Sequence, residues 1–235
     1  MTKFSFEVPL KHLNDFLEDQ DFIFALSILT EHQVYKDFLT NVRPYKTIWM
    51  DNSFNETFQA EDSHKLAWLY RMYKPVRVIS PDSPTMSTVE IVKHFRDLKS
   101  HLVDVGDIIV VVRDWTMYTE LADVAQNFAV SYHVRGQNFT YDDLKEIPKI
   151  HFLGLINPYE VDNCKPASCD TSMPVKLAKK GWTMEYWCDQ DCPHIHTKDL
   201  GYQGNDFFNT VMTTSEIDLA KMNINWLKNY VNGGK

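Results

Sequence analysis

The chain has 235 residues, 44% apolar and 24% charged, with 24 Lys and Arg against 32 Asp and Glu for a formal net charge of −8, a composition that excludes a disordered polymer. The acidic balance counts against a non-specific nucleic-acid coat protein, which needs clustered cations, and four cysteines are too few for a disulfide scaffold. The eight glycines include no dinucleotide or P-loop signature, no apolar run approaches the roughly 18 residues of a membrane span, and residues 1–7 have no apolar signal core, so a cytoplasmic protein is expected.

Residues 22–29 are the first expected strand, apolar almost throughout. Residues 32–42 follow with Val34, Tyr35, Phe38 and Leu39 at helical spacing. Residues 46–50 give a second strand that ends on Asp51, and Ser63 is expected to cap a helix carrying Leu66, Leu69, Tyr70 and Tyr73 on one face. A third strand, 76–80, ends at Pro81 and Asp82; Ser87 and Glu90 then form a capping box whose helix runs to about Val103. Residues 107–112 are β-branched and apolar on both faces, as a buried parallel strand requires. A helix over 116–127, a strand over 128–134, a short helix capped by Thr140 and a strand over 150–155 come next. The pattern then loosens: residues 168–172 precede a helix over 175–180, residues 183–187 read as the last strand, and Thr213 and Glu216 open a closing helix with Ile217, Leu219, Met222, Ile224 and Leu227. Parallel strands need crossovers, so this alternation predicts an α/β parallel sheet. Six units read clearly and two poorly, which favours a (β/α)8 TIM-type barrel, one domain over 1–235, above an open doubly wound sheet.

In such a barrel the loops after the strands converge on one face, where chemistry sits. The residues in those positions are Glu31, Asp51, Asp82, Asp114, Arg135, Asn157 and Asp170, with Asp51, Asp82 and Asp114 one βα unit apart. Two readings compete: each polar residue caps the next helix, or the carboxylates ring a barrel mouth. A ring suits displacement at a sugar carbon, one carboxylate attacking and another moving a proton. It also suits divalent-metal hydrolysis through Asp51, Asp82, Asp114 and His133.

The strand-end segments carry a family resemblance. Met50-Asp51-Asn52-Ser53-Phe54-Asn55-Glu56 resembles the D-N-G-A-[YF]-E segment of phage DNA-guanine transglycosylases and, more distantly, the D-S-G-G segment of tRNA-guanine transglycosylases. Ser80-Pro81-Asp82 is similar to their next strand end, His133-Val134-Arg135-Gly136-Gln137 to the V-Q-G segment, Phe152-Leu153-Gly154-Leu155 to the G-L segment, and Cys169-Asp170-Thr171-Ser172 to the segment holding the nucleophile. Residues 222–227 resemble the closing helix of the phage members, so the likeness extends over about residues 20–230. The resemblance implies exchange of guanine for a 7-deazaguanine in nucleic acid. Asp170 would attack C1′ and form a covalent glycosyl intermediate, Asp51 would be the general acid/base, and Asp82 would read the Watson–Crick edge of the base. Asn52, Ser53, Arg135, Asp114 and the backbone of Gly154 and Leu155 would complete the substrate pocket. The chain's length, without room for a large accessory RNA-binding domain, favours DNA over tRNA. A non-catalytic barrel that binds the base or a nucleic-acid end is the remaining reading.

The chain also departs from that pattern. The family's Gln before Gly is Arg135 here, and its Gly-Ala is Ser53-Phe54, which keeps the backbone from so close an approach. No cofactor is firmly implied. The tRNA enzymes carry a zinc site that only Cys188, Cys192, His194 and His196 approach, interrupted by Pro193; reduced thiols and exposed histidines are the simpler expectation. Lys176, Lys179 and Lys180 follow Asp170 and could flank a nucleic-acid strand, as could the helical stripe Lys93, Arg96 and Lys99. Trp115, Tyr118, Trp182 and Trp187 are either core residues or stacking platforms for bases.

Overall fold

A computed structural model describes residues 1–59, 61–102, 108–195, 197–200 and 204–233. Val103 and Asp107, the expected ends of a helix and a strand, and His196 of the cysteine–histidine set lie outside them. The fold is α/β, a (β/α)8 barrel of TIM type. Strands β1 (Lys3–Phe6), β2 (Ile23–Leu26), β3 (Ile48–Asp51), β4 (Arg77–Ile79), β5 (Ile108–Val111), β6 (Asn127–Ser131), β7 (His151–Leu153) and β8 (Ser168–Thr171) form one sheet in the order β1-β8-β7-β6-β5-β4-β3-β2. The helices between them are α1 (Gln33–Val42), α2 (Phe54–Thr57), α3 (Ser63–Tyr73), α4 (Thr88–His101), α5 (Trp115–Leu121), α6 (Tyr141–Glu146) and α7 (Pro158–Cys164), followed after the last strand by α8 (Met173–Lys179), α9 (Met184–Asp189) and α10 (Thr214–Val231). Among the described residues no helix is long and apolar enough to cross a membrane.

The chain forms two compact units, one of residues 22–151 and one of residues 1–21 with 152–235. In the first, β2 to β6 pair in parallel, with Leu26 opposite Asp51 and Trp49 opposite Arg77. Ile108, Ile109, Val110 and Val111 are all buried, as a strand covered on both faces must be. The Ser87–Glu90 capping box forms as expected: the Ser87 side chain accepts from the Glu90 N–H while the Glu90 carboxylate accepts from the Ser87 N–H at 2.7 Å. Thr140 and Asp143 make a second such box at α6. Ser63 is the first helical residue of α3, and Asp62 is its cap.

In the other unit, β1 pairs in parallel with β8, placing Ser5 opposite Asp170. The other side of β1 is satisfied by side chains. Gln20 accepts from the Phe6 N–H at 2.6 Å and donates to the Phe6 carbonyl at 2.8 Å, and Asp21 accepts from the Phe4 N–H at 2.8 Å, so the strand edge carries no open ladder there. Helix α10 buries Ala220, Asn223, Ile224, Leu227 and Val231, a stripe at helical spacing. Within that stripe the Asn223 amide accepts from Met184 N–H at 2.8 Å and donates to the carbonyls of Pro174 and Trp182 at 3.2 and 3.0 Å, tying α10 to α8 and to the start of α9.

Four further sequence expectations are corrected. The first expected strand stops at Leu26; Ser27–Glu31 is a 3-10 turn, closed by the Thr30 hydroxyl donating to the Ser27 carbonyl. Residues 183–187 are helix, not strand: Thr183 caps it, and Met184, Trp187 and Cys188 are buried at helical spacing. The helix expected over 116–127 ends at Leu121, and Asn127 already begins β6. β6 in turn stops at Ser131, so His133 lies beyond the strand.

Candidate functional site

Within unit 22–151 the strand ends gather a polar cluster. β3 ends on Asp51, buried, whose Oδ2 accepts from the Ser53 N–H at 2.7 Å. The buried Asn52 amide donates to the Ser80 carbonyl at 2.7 Å and to Asp82 Oδ1 at 2.5 Å, while its Oδ1 accepts from the Phe54 N–H at 3.0 Å. One side chain therefore spans the ends of β3 and β4. Asp82 Oδ2 has no partner among the described residues. Loss of solvation pushes the Asp82 carboxyl up to about 6, against the Asn52 hydrogen bond and the Arg113 charge, which pull it down.

The local chain explains why this cluster holds. Ser53 is fully buried at φ +53°, a left-handed position that a non-glycine residue occupies at a cost, and its Oγ accepts from the Ile28 N–H at 3.2 Å. Two residues past β5, the Arg113 guanidinium donates to the carbonyls of Ser83 and Met86, strapping the loop that carries Asp82. Sequence reasoning passed over Arg113; the signal available was a cation set directly between an apolar strand and a capping Asp. It also passed over Ser80, whose buried Oγ has no hydrogen-bond partner among the described residues.

The other unit holds the second group. Asp170 lies on β8, buried, and its Oδ1 accepts from the Gly154 N–H at 3.3 Å. Gly154 has φ +74°, where a side chain would be strained, and its carbonyl accepts from Cys169 Sγ at 3.7 Å. Leu155 beside it is buried. The Gly154 N–H, expected to meet a base, thus faces the expected nucleophile instead.

Several expected site residues have structural tasks. Asp114 caps α5, accepting from the Met117 N–H at 2.8 Å, and Asn157 caps α7, accepting from the Glu160 N–H at 2.8 Å. Capping is thus the reading that fits these two, whereas Asp51, Asp82 and Asp170 cap no helix. Arg135 is buried and donates to the Val130 carbonyl at 2.6 Å, anchoring the turn after β6, while His133 is exposed. Lys179 pairs with Glu216 at 2.8 Å, and the Lys176 and Lys180 ammonium groups lie over the rings of Phe207 and Trp182 at 5.9 and 4.8 Å. Trp187 is core, its indole N–H donating to the Pro193 carbonyl. Trp115 is partly exposed and packs on Tyr118 at 5.1 Å, and Trp182 meets Tyr186 edge-on.

Cys188 is buried and in hydrogen-bond contact with Cys192; burial first, and then the neighbouring thiol, push the Cys188 thiol up to about 12. Among the described residues no group of three or more His, Cys, Asp or Glu side chains is arranged to hold a metal ion. The proposed hydrolase ligands Asp51, Asp82, Asp114 and His133 do not form one.

Architecture and strand-end cluster together define a (β/α)8 barrel protein with polar groups at the carboxyl ends of its strands. No protein-family model matches the chain, and no curated protein matches it in sequence. Solved structures do share the fold. One is CdNal from Clostridium difficile, determined in complex with mannosamine, which aligns at a TM-score of 0.51 and 9% identity over 93% of this chain and 90% of that one.

Proposed function

We propose that this protein is a glycosyltransferase that exchanges guanine for a 7-deazaguanine in nucleic acid, with DNA the favoured polymer. The observation that carries the reading is the Asn52–Asp82 pair: an amide locked on the Ser80 carbonyl fixes one carboxyl oxygen of Asp82 and leaves the other uncommitted among the described residues. Guanine presents N–H donors on its Watson–Crick edge, and a carboxylate with one free oxygen accepts them. Such a base must first be flipped from a duplex, at a few kcal/mol.

In this reading the Asp170 carboxylate attacks C1′ and the C1′–N9 bond breaks. The departing guanine takes its proton from Asp51, and a glycosyl ester remains on Asp170. The incoming deazaguanine returns its N9 proton to Asp51 and displaces Asp170. The strand-end carboxylates and the sequence resemblance support these roles, and the Asp170–Gly154 hydrogen bond is consistent with a held carboxylate.

The test is incubation of the protein with labelled guanine or a deazaguanine and with DNA or tRNA, followed by counting label in the polymer. Label enters DNA with the intact protein, and Asp170→Ala forms no covalent adduct and incorporates nothing. An undiminished adduct in that variant overturns the nucleophile. Base bound tightly but never exchanged would leave a binding protein instead of an enzyme.

A further inference from the structure

We infer that the outer face of α4 is a docking rail for a phosphodiester backbone, held by Lys93, Arg96 and Lys99. The inference takes the identity of its partner from the proposed function and adds the surface that engages it. Five lysines elsewhere are held in ion pairs: Lys65 with Glu61 and Glu31, Lys145 with Asp142, Lys165 with Asp162, Lys179 with Glu216 and Lys228 with Asp21. In the patch expected after Asp170, Lys179 is paired and Lys176 and Lys180 lie over aromatic rings. Lys93, Arg96 and Lys99 are exposed and have no ion pair or hydrogen bond among the described residues. In a chain of net charge −8, phosphate must find a local positive surface, and these three cations recur at i, i+3 and i+6 along one helix.

The geometry fits a strand. Residues three apart are neighbours on a helix surface, about 4.5 Å along its axis, so the three cations span about 9 Å, against about 3.4 Å of axial rise per nucleotide of one strand. A groove of about 450 Å³ adjoins the first two of them, lined by Thr88, Val89, Val92, Lys93, Arg96 and Glu120. Its valines, Val89 exposed and Val92 half-buried, add apolar surface for sugar faces beside the charges. Position supports the same partner: α4 opens from the loop that carries Asp82 and is strapped by Arg113, so backbone rail and base-reading carboxylate belong to one βα unit. Glu120 is the one carboxylate in the groove and opposes the phosphate.

The test is fluorescence anisotropy with a labelled DNA duplex between 50 and 200 mM salt, about the range in which phosphate contacts are released. In the triple variant Lys93→Gln, Arg96→Gln, Lys99→Gln the slope of log K against log salt falls by about 2–3; Lys176→Gln with Lys180→Gln leaves it unchanged, and Glu120→Gln tightens binding. An unchanged slope in the triple variant overturns the rail. So does a triple variant that loses polyglutamate but keeps DNA, which would make the face a site for an acidic protein. The two proposals fail separately. Exchange with an unchanged DNA KM in the triple variant removes the rail and leaves the chemistry. Salt-sensitive binding lost in the triple variant, without any exchange by the intact protein, removes the chemistry and leaves the rail.

Discussion

The two ends of β3 and β4 are built from opposite materials. At the amino ends, Trp49 packs on Phe22 at 4.4 Å and on the buried His151 at 5.2 Å, Phe24 closes on His151 at 5.2 Å, and the Arg77 guanidinium lies 4.5 Å over the Trp49 ring. At the carboxyl ends stand Asp51, Asn52, Asp82 and Arg113, with no aromatic ring among them. Trp49 and Asp51 are two residues apart on one strand and so share a face. Packing at one end fixes the strands tightly enough that the other end can hold half-satisfied polar groups, the division of labour expected of a (β/α)8 barrel.

The largest break in that comparison is Trp49→Ala. It empties the aromatic end and removes the ring under Arg77, so stability falls by about 3–5 kcal/mol, read from the urea midpoint. Asn52→Ala at the opposite end costs less, about 1–3 kcal/mol, because it leaves the Ser80 carbonyl and Asp82 without their donor. The two variants differ in a second readout: with the Asn52 hydrogen bond gone, the Asp82 carboxyl titrates above its present value of about 6. A Trp49→Ala protein no less stable than Asn52→Ala would undo the contrast.

Asp82→Asn sharpens it through pH. The folded carboxyl is raised from 3.8 to about 6, so between those values the folded state keeps a proton that the unfolded state releases. Stability from this group is therefore complete below the unfolded pKa and is lost as pH rises through about 6. Because Asp82 is half-buried and solvent screens it in part, the loss is about 1–2 kcal/mol. Urea unfolding of both proteins at several pH values between 4 and 7 should show a gap between the curves that changes across this window. Parallel curves would mean that Asp82 is not desolvated.

Much of this was legible in the sequence, and the misses have physical causes. The four buried β-branched residues of β5 and the Ser87–Glu90 capping box announced themselves, because burial on both faces and reciprocal capping leave local signatures. β1 was missed because four residues, Lys3 to Phe6, are too few for a period and its edge is satisfied by Gln20 and Asp21, partners that sequence cannot assign. Residues 183–187 misled by their aromatic content, although Met184, Trp187 and Cys188 were already at helical spacing. At the candidate site, position after a strand picks out Asp51, Asp82 and Asp170 as candidates. The same position also gathered Asp114 and Asn157, since a capping Asp and a functional Asp occupy the same place in a βα unit and differ only in what their oxygens meet.

That ambiguity makes Asp114 the finest test. Its Oδ1 accepts from the Met117 N–H at 2.8 Å, one of the first free N–H groups of α5. If capping is its whole task, Asp114→Ala costs about 1 kcal/mol, Asp114→Ser restores most of it because a serine hydroxyl accepts the same bond, and both variants incorporate base at the wild-type rate. Asp51→Ser, by contrast, abolishes exchange, since a hydroxyl cannot shuttle the proton a carboxylate carries. An Asp114→Ser protein as stable as wild type yet inactive would restore the ring of three carboxylates and move Asp114 from the helix cap to the chemistry.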